Sequence, residues 1–232
     1  SARDMTPEQP LPSHRTLHTG AAGWIQTLGS QTHSEQQYFY HADFITDENA
    51  RRTIGATDTA QIIPLHMGRR RHFWSKNCLA LGAAAGDLGA LGASTLHLLQ
   101  SALRRFLHLF PAQLPSIENA AEFNRLTHLE YDHIEDFHSV HYRLAAKAAM
   151  EVSTHENTPY WHGLHTTPYP DRLAYKLELF LQRGQIPFYE GETFSSGVWA
   201  SLLLGNNCWP ERTTPLIYTM TPDENQRCCA FG

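Results

Sequence analysis

The spacing of apolar residues predicts a mainly helical chain with a few strands near its start. Residues 1–22, rich in Pro, Thr, Ser and His, show no period and read as an extended, poorly packed lead-in. Tyr38-Phe39-Tyr40 with Phe44-Ile45 predicts a strand. Thr46-Asp47-Glu48 then predicts a helix start, with Thr46 as cap and two acids at the positive end of the helix dipole. Ile62-Ile63 and Phe73 to Leu81 predict two further strands, with the polar turn Gly68-Arg69-Arg70-Arg71 between them.

Beyond residue 93 the period becomes helical. From Ser94 to Phe110, Leu96, Leu99, Leu103, Phe106, Leu107 and Phe110 form a stripe at 3–4 spacing, with Gln100, Arg104 and Arg105 outside it. Pro111 ends that helix. A second long helix is predicted over Ser116 to Met150, with Leu126, Leu129, Ile134, Phe137 and Val140 near its core face. A loop carrying Pro159, Pro168 and Pro170 follows. Asp171 opens a compact helix with Leu173, Leu177, Phe180 and Leu181 on one face and Gly184 as its stop. Phe194 to Leu204 is the last helical candidate. The fold class is therefore α+β, mainly helical with a small antiparallel sheet. Residues 23–220 are expected to form the body and 221–232 a tail.

Composition limits the partners. With 232 residues, 41% of them apolar and 18% charged, the chain has enough apolar mass for a packed core. The formal charge is −5, from 18 basic and 23 acidic residues, and no basic stripe appears, which argues against nucleic acid or an anionic membrane surface. No apolar run reaches the ~18 residues of a membrane span. The start, Ser1-Ala2-Arg3-Asp4-Met5, lacks the apolar run of a signal peptide. The four cysteines, Cys78, Cys208, Cys228 and Cys229, form no C-x-x-C pair, so a reducing cytoplasm is the expected compartment, with Cys78 a small buried hydrophobe.

Two features carry candidate chemistry. Gly82, Gly86, Gly89 and Gly92 punctuate a run of small residues, letting backbone approach a ligand or another helix closely. The fifteen histidines include Glu130-x-x-His133 and Glu135-x-x-His138, the carboxylate–histidine spacing of di-iron helices, and His162 with His165 as a further ligand pair. Residues five apart lie about 140° round a helix, however, so the two Glu–His pairs do not share a face. No nucleophile elbow, phosphate-binding loop or zinc signature is present.

The run from Gly68-Arg69 through Trp74, Asn77-Cys78-Leu79-Ala80-Leu81-Gly82 and Gly86 to Ser94-Thr95 and Leu109-Phe110-Pro111 is distinctive. It resembles the flavin-dependent tryptophan halogenases, whose pattern there is a Gly-Arg turn, a Trp, an Asn-Cys strand, a Gly-rich turn and a helix opened by Ser-Thr-Gly. Other blocks agree in the same order: Ala22-Gly23-Trp24, Glu135-Asp136-Phe137 with His141-Tyr142, Pro159-Tyr160-Trp161, and Trp199 with Leu203-Leu204-Gly205. The resemblance spans roughly residues 15–220.

The resemblance implies a substrate cradle of Glu156, Tyr160 and Trp161, in which a carboxylate meets the substrate amine and two aromatics flank an indole. The plainer alternative is a Tyr-Trp pair packing the loop onto the core, with Glu156 solvated. It also implies that Gly92, Ser94 and Thr95 sit beside the halide and the flavin, although Ser94 equally suits a helix cap. The family's FAD lies on an N-terminal unit carrying G-x-G-x-x-G, and no such motif occurs here, so the chain resembles the C-terminal half alone. The family's Glu-Pro-Leu-Glu turn aligns with Gly89, Ala90, Leu91 and Gly92, which removes both carboxylates. Its Trp-x-Trp-x-Ile-Pro signature has become Trp24-Ile25-Gln26-Thr27-Leu28-Gly29.

Three functions remain open on these residues. The first is flavin-dependent halogenation or oxidation of an indole-like aromatic, given an FAD-bearing segment or partner and a flavin reductase. The second is a non-catalytic protein for an aromatic ligand or for assembly, and the third a histidine-based metal protein. Half of a two-part core is expected to expose an apolar patch and to hide it in a homo- or hetero-oligomer.

Overall fold

The computed structural model of the protein describes residues 2–4, 15–29, 33–56, 60–89, 91, 94–111, 116–151 and 158–213. The chain divides into two compact units. One comprises residues 1–67 and 142–167, the other 68–141 and 168–232.

The first unit is built on a four-stranded antiparallel sheet of β1 (Ala2–Asp4), β2 (Thr16–Gly20), β3 (Gly23–Gly29) and β4 (His33–Tyr40), in the order β1-β4-β3-β2. Two of these strands fall within the expected lead-in, where a lack of alternation hid them. β2 is paired along its whole length, from Thr16 with Thr27 to Gly20 with Gly23. Gly23 has φ +151°, and a Cβ there would stand 1.9 Å from the Phe39 carbonyl oxygen, so only glycine allows β3 and β4 to approach at this point. Trp24 and Gln26 are buried on one face of β3.

Phe44-Ile45 lie in a turn rather than a strand, and α1 (Asp47–Thr53) follows as expected. Thr46 caps α1 by accepting from the Asn49 N–H at 3.3 Å. Ile62-Ile63 form no strand; Ile63 is 64% exposed and has no sheet neighbour to cover it. α4 (Pro159–Thr166) starts on a proline, which suits a first helical turn, and the Thr158 hydroxyl ties its start to the Ala21 carbonyl at 2.6 Å.

The second unit holds two minimal ladders. β5 (Gly68–Arg69) pairs with β8 (Gly86–Asp87), and β6 (Trp74–Ser75) pairs with β7 (Cys78–Leu79). The strand expected over Phe73 to Leu81 therefore folds back on itself at Lys76-Asn77, where Lys76 takes φ +54°. Asn124 holds the hairpin: its carbonyl accepts from the Phe73 and Trp74 N–H groups at 2.7 and 2.8 Å, and its amide donates to the Trp74 carbonyl at 2.8 Å. Cys78, expected to be buried, faces solvent from this hairpin.

Among the described residues, four α-helices supply the rest. They are α2 (Ser94–His108), the part of α3 (Ile117–Glu151) up to His141, α5 (Asp171–Arg183) and α6 (Ser196–Gly205). Phe73, Trp74, Leu88, Leu98, Phe123, Tyr131 and Ile134 are among the residues of one core cluster. α5 ends as expected at Gly184, whose φ of +66° and N–H bond to the Phe180 carbonyl form a left-handed cap. Its inner face carries Leu173, Phe180 and the unexpected Lys176, whereas Leu181 is 43% exposed.

α2 turns one edge of its predicted stripe inwards and the other outwards: Leu99 and Phe106 are half-buried, with Phe106 edge-on to Trp74 at 5.2 Å. Its buried residues are Ser94, Leu98 and Ala102. Leu96, Leu103, Leu107 and the following Phe110, expected to face the core, are 60%, 41%, 71% and 63% exposed. Arg105, expected outside, is 14% exposed and faces the protein.

Candidate functional site

The aromatic residues singled out from the sequence sit in the first unit. Trp161 is fully buried on α4, and its indole N–H donates to the Gly20 carbonyl at 2.8 Å. Trp24 meets it edge-on with ring centres 5.6 Å apart, and Tyr142 meets Trp24 at the same separation. Tyr160 is half-buried and packs edge-on against Trp161 at 5.0 Å and Phe44 at 5.5 Å. Burial, then the neighbouring Tyr142 and Tyr38 hydroxyls, push the Tyr160 phenol above its ordinary value, so it stays a neutral donor. Tyr160 thus presents an aromatic surface backed by a rigid indole pair. Glu156, the third member of the expected cradle, lies outside the described residues.

The glycine-rich turn belongs to the second unit. Gly92 lies outside the described residues. Ser94 is the first residue of α2 and is buried, and Thr95 is exposed. Gly89 has φ +84°, and its N–H donates to the Asp87 carboxylate at 2.9 Å. Leu88 and Leu91, on either side, are buried.

His138, from α3, supports this turn from below, a role that spacing alone did not show. Its ring lies against the Leu88 and Leu91 backbone, with hydrogen bonds that favour the charged form. Burial outweighs them, with His141 adding repulsion, and lowers its pKa to about 4. Burial also lowers His141. A neutral His138 stabilises the fold at pH above its unfolded value near 6.5, and that contribution is lost as pH falls towards 4. The loss amounts to roughly 3 kcal/mol over this window. Urea midpoints at pH 7.5 and pH 4.5 test this: His138→Gln should show a clearly shallower pH dependence than the wild type, and equal slopes would contradict it.

The Glu–His pairs of α3 serve the protein itself. Glu130 is 5% exposed and accepts from Ser101 and Arg105, each at 2.9 Å, with His97 also 2.9 Å away. His133 is 2% exposed and faces the Glu190 carbonyl at 3.0 Å. Asp136 takes Arg172 at 2.8 Å, and Arg69 lies between Asp132 and Glu135. Among the described residues no three His, Cys, Asp or Glu side chains converge on a metal position. The metal reading therefore has no described ligand set.

A hollow of about 970 Å³ opens beside the β6–β7 hairpin, lined by Trp74, Lys76, Ile117, Asn124 and His128 among others. It contains none of the residues expected to bind substrate or halide. No helix among the described residues is long and apolar enough to cross a membrane.

Comparison with known proteins shows which family the chain belongs to. The tryptophan halogenase family model matches residues 2–222. The tryptophan 6-halogenase of Streptomyces toxytricini is 25% identical over 224 residues, covering 91% of this chain and 41% of that protein. The 7-chloro-L-tryptophan 6-halogenase of Kutzneria sp. (strain 744) is 29% identical over 164 residues, 68% of this chain and 30% of its own length. A flavin-dependent halogenase of Brevundimonas sp. BAL3 superposes with a TM-score of 0.84 at 25% identity, over 99% of this chain and 46% of its own. The chain thus spans less than half the length of these relatives, and over nearly its whole length it belongs to the tryptophan halogenase family.

Proposed function

We propose that this chain is the substrate-side part of a flavin-dependent halogenase, acting on an indole-like aromatic when an FAD-bearing segment or partner is supplied. The family match over residues 2–222 supports this reading. Family likeness also brings a flavin reductase as partner. The described residues carry no dinucleotide-binding loop of the G-x-G-x-x-G type. β8 has two residues and Gly82–Ala84 is a single 3-10 turn, and the glycine turn that leads from β8 to α2 lacks the G-x-G-x-x-G spacing of a pyrophosphate loop. A pyrophosphate loop of that kind would come with the supplied segment.

This chain's share is recognition. Glu156 would pair with the substrate ammonium, and Tyr160 would offer its ring to the flat aromatic, with Trp161 holding Tyr160 in place. Gly92, Ser94 and Thr95 would flank the halide.

One observation favours a second reading, that of a non-catalytic protein for an aromatic ligand or for assembly. The turn that carries glutamates in the family has glycine at 89, with φ +84°. A glutamate in that backbone conformation would cost about 1–2 kcal/mol, so the turn is shaped for glycine and not for a carboxylate.

Calorimetry with L-tryptophan separates the readings when paired with a turnover assay. That assay combines the chain, a relative's FAD-bearing segment, a flavin reductase and chloride. The catalytic reading predicts tryptophan binding by the chain, weakened about 10-fold in Tyr160→Ala, and chlorinated product only in the combined assay. Binding without product would favour the second reading in its ligand-binding form, and neither binding nor product would exclude the catalytic reading and leave assembly alone.

A further inference from the structure

The hollow of about 970 Å³ beside the β6–β7 hairpin lies wholly within the second unit, between that hairpin and the first turns of α3. Its apolar wall comes from Trp74, Ile117, Ala120 and Ala121, and Ile117 is 84% exposed. Among the described residues no carboxylate lines it, whereas Arg71, His72, Lys76, Arg125 and His128 do. Arg125 is already occupied, holding Glu122 at 2.8 Å and Glu190 at 3.1 Å. Arg71 and Lys76 are exposed, and among the described residues neither side chain has a hydrogen-bond or ion-pair partner. In a chain of formal charge −5, two unpaired cations on one apolar hollow reverse the sign locally.

Lys76 stands where glycine is easier. It takes φ +54° at the first position of the two-residue turn between β6 and β7, a conformation that glycine adopts freely and other residues only with strain. The turn asks Lys76 for its backbone carbonyl, which accepts from the Trp74 indole N–H at 3.0 Å, and any residue would supply that. The lysine side chain is thus not explained by the turn that carries it. Arg71 is placed firmly too: His128 donates from Nε2 to its carbonyl at 3.0 Å, and Asn124 holds the neighbouring Phe73 and Trp74 N–H groups. Both cations therefore stand on backbone pinned to α3. We propose that this hollow binds a small molecule with a flat apolar body and one oxyanion head, a carboxylate or a phosphate. Arg71 and Lys76 meet the head, and Trp74, Ile117 and Ala121 cover the body. The volume suits a ligand of several rings. A long polyanion is disfavoured, because the free cations form a pair and not a stripe on a chain that is acidic overall. The site is opposite in sign to the proposed Glu156 cradle for an ammonium, and it does not depend on the halogenase reading.

Calorimetry on the full 232-residue chain tests this with three probes that share one ring system: 2-naphthoate, 2-naphthyl phosphate and 2-naphthylmethylamine. At least one of the two anions should bind with a Kd on the order of 0.1 mM, the tighter one identifying the head group. The amine should bind at least about tenfold more weakly. Lys76→Gly should weaken the anion about tenfold, yet its urea midpoint should equal or exceed that of the wild type, because glycine relaxes the turn. Arg71→Gln should lose as much affinity. Ala121→Trp, a substitution at an exposed position that fills the hollow from α3, should abolish binding. Arg104→Gln removes an exposed cation outside the hollow and should bind as the wild type does. Binding of the anion by Lys76→Gly or Ala121→Trp at wild-type strength would overturn the proposal. So would an amine that binds as tightly as the anions, or an equal loss in Arg104→Gln, which would show attraction by overall charge alone. Failure of both anions to bind at about 1 mM would overturn it as well.

Discussion

Trp161→Ala should destabilise the first unit by about 3–5 kcal/mol, enough to unfold a unit of ordinary stability at moderate temperature. The side chain is fully buried, so truncation leaves a cavity between α4 and the β2–β3 hairpin. It also deprives Trp24 of its edge-on partner and Gly20 of its donor at 2.8 Å. Trp161→Phe keeps most of the ring and loses the N–H, and should cost about 1–2 kcal/mol. Urea unfolding followed by circular dichroism measures both. The pair also separates the two roles open to this residue. A side chain that only packs α4 onto the hairpin loses stability in proportion to what is removed. One kept for stacking a ligand would lose tryptophan binding in Trp161→Phe with an unfolding midpoint within 0.5 kcal/mol of the wild type, and that outcome would overturn the packing account.

The sequence pattern reveals local events well and their surroundings poorly. The Thr46 cap, the stop at Gly184 and the run of α3 are set by residues within one or two helical turns of themselves, and each is found where the spacing places it. The period of α2 is equally legible. Its direction is not, because a stripe of leucines shows an apolar face without showing how much of it turns inwards: Leu99 and Phe106 are half-buried, whereas Leu96 and Leu107 are exposed. β2 is hidden for the opposite reason: it is held by pairing from Thr16 to Gly20, with Gly20 against the Tyr38 ring and Gly23 against the Phe39 carbonyl, and needs no apolar alternation. At the candidate site, the aromatic pair Tyr160–Trp161 and the glycine turn are readable as residue types. That the Trp161 N–H is spent on Gly20, and that His138 lies beneath the turn, depends on partners 141 and about 50 residues away, which no local spacing encodes. Lys176 is a similar case, a charged residue placed on the core face of α5.

Breaking the Lys176–Glu192 pair should cost about 3–5 kcal/mol in either single variant, Lys176→Met or Glu192→Gln. Both side chains are almost completely enclosed, at 3% and 1% exposure, and they are joined directly. The ammonium also lies over the Trp199 ring at 4.6 Å and the Tyr189 ring at 5.0 Å, so it is enclosed by aromatic faces as well as paired. The second carboxylate oxygen accepts from the Trp199 indole N–H at 3.0 Å, which fastens α6 to the segment before it. Lys176→Met leaves Glu192 charged beside the His133 ring, 3.8 Å away, with no cation. Glu192→Gln keeps an acceptor for Trp199 but leaves an ammonium enclosed among aromatic rings. The double variant removes both charges and retains most of the volume, so it should be more stable than either single one. The expected coupling in the cycle is at least about 2 kcal/mol. Thermal and urea unfolding of the four proteins measures it. If the two single costs simply add to within about 0.5 kcal/mol, the pair does not act as one buried ionic unit, and its contribution has to come from packing alone.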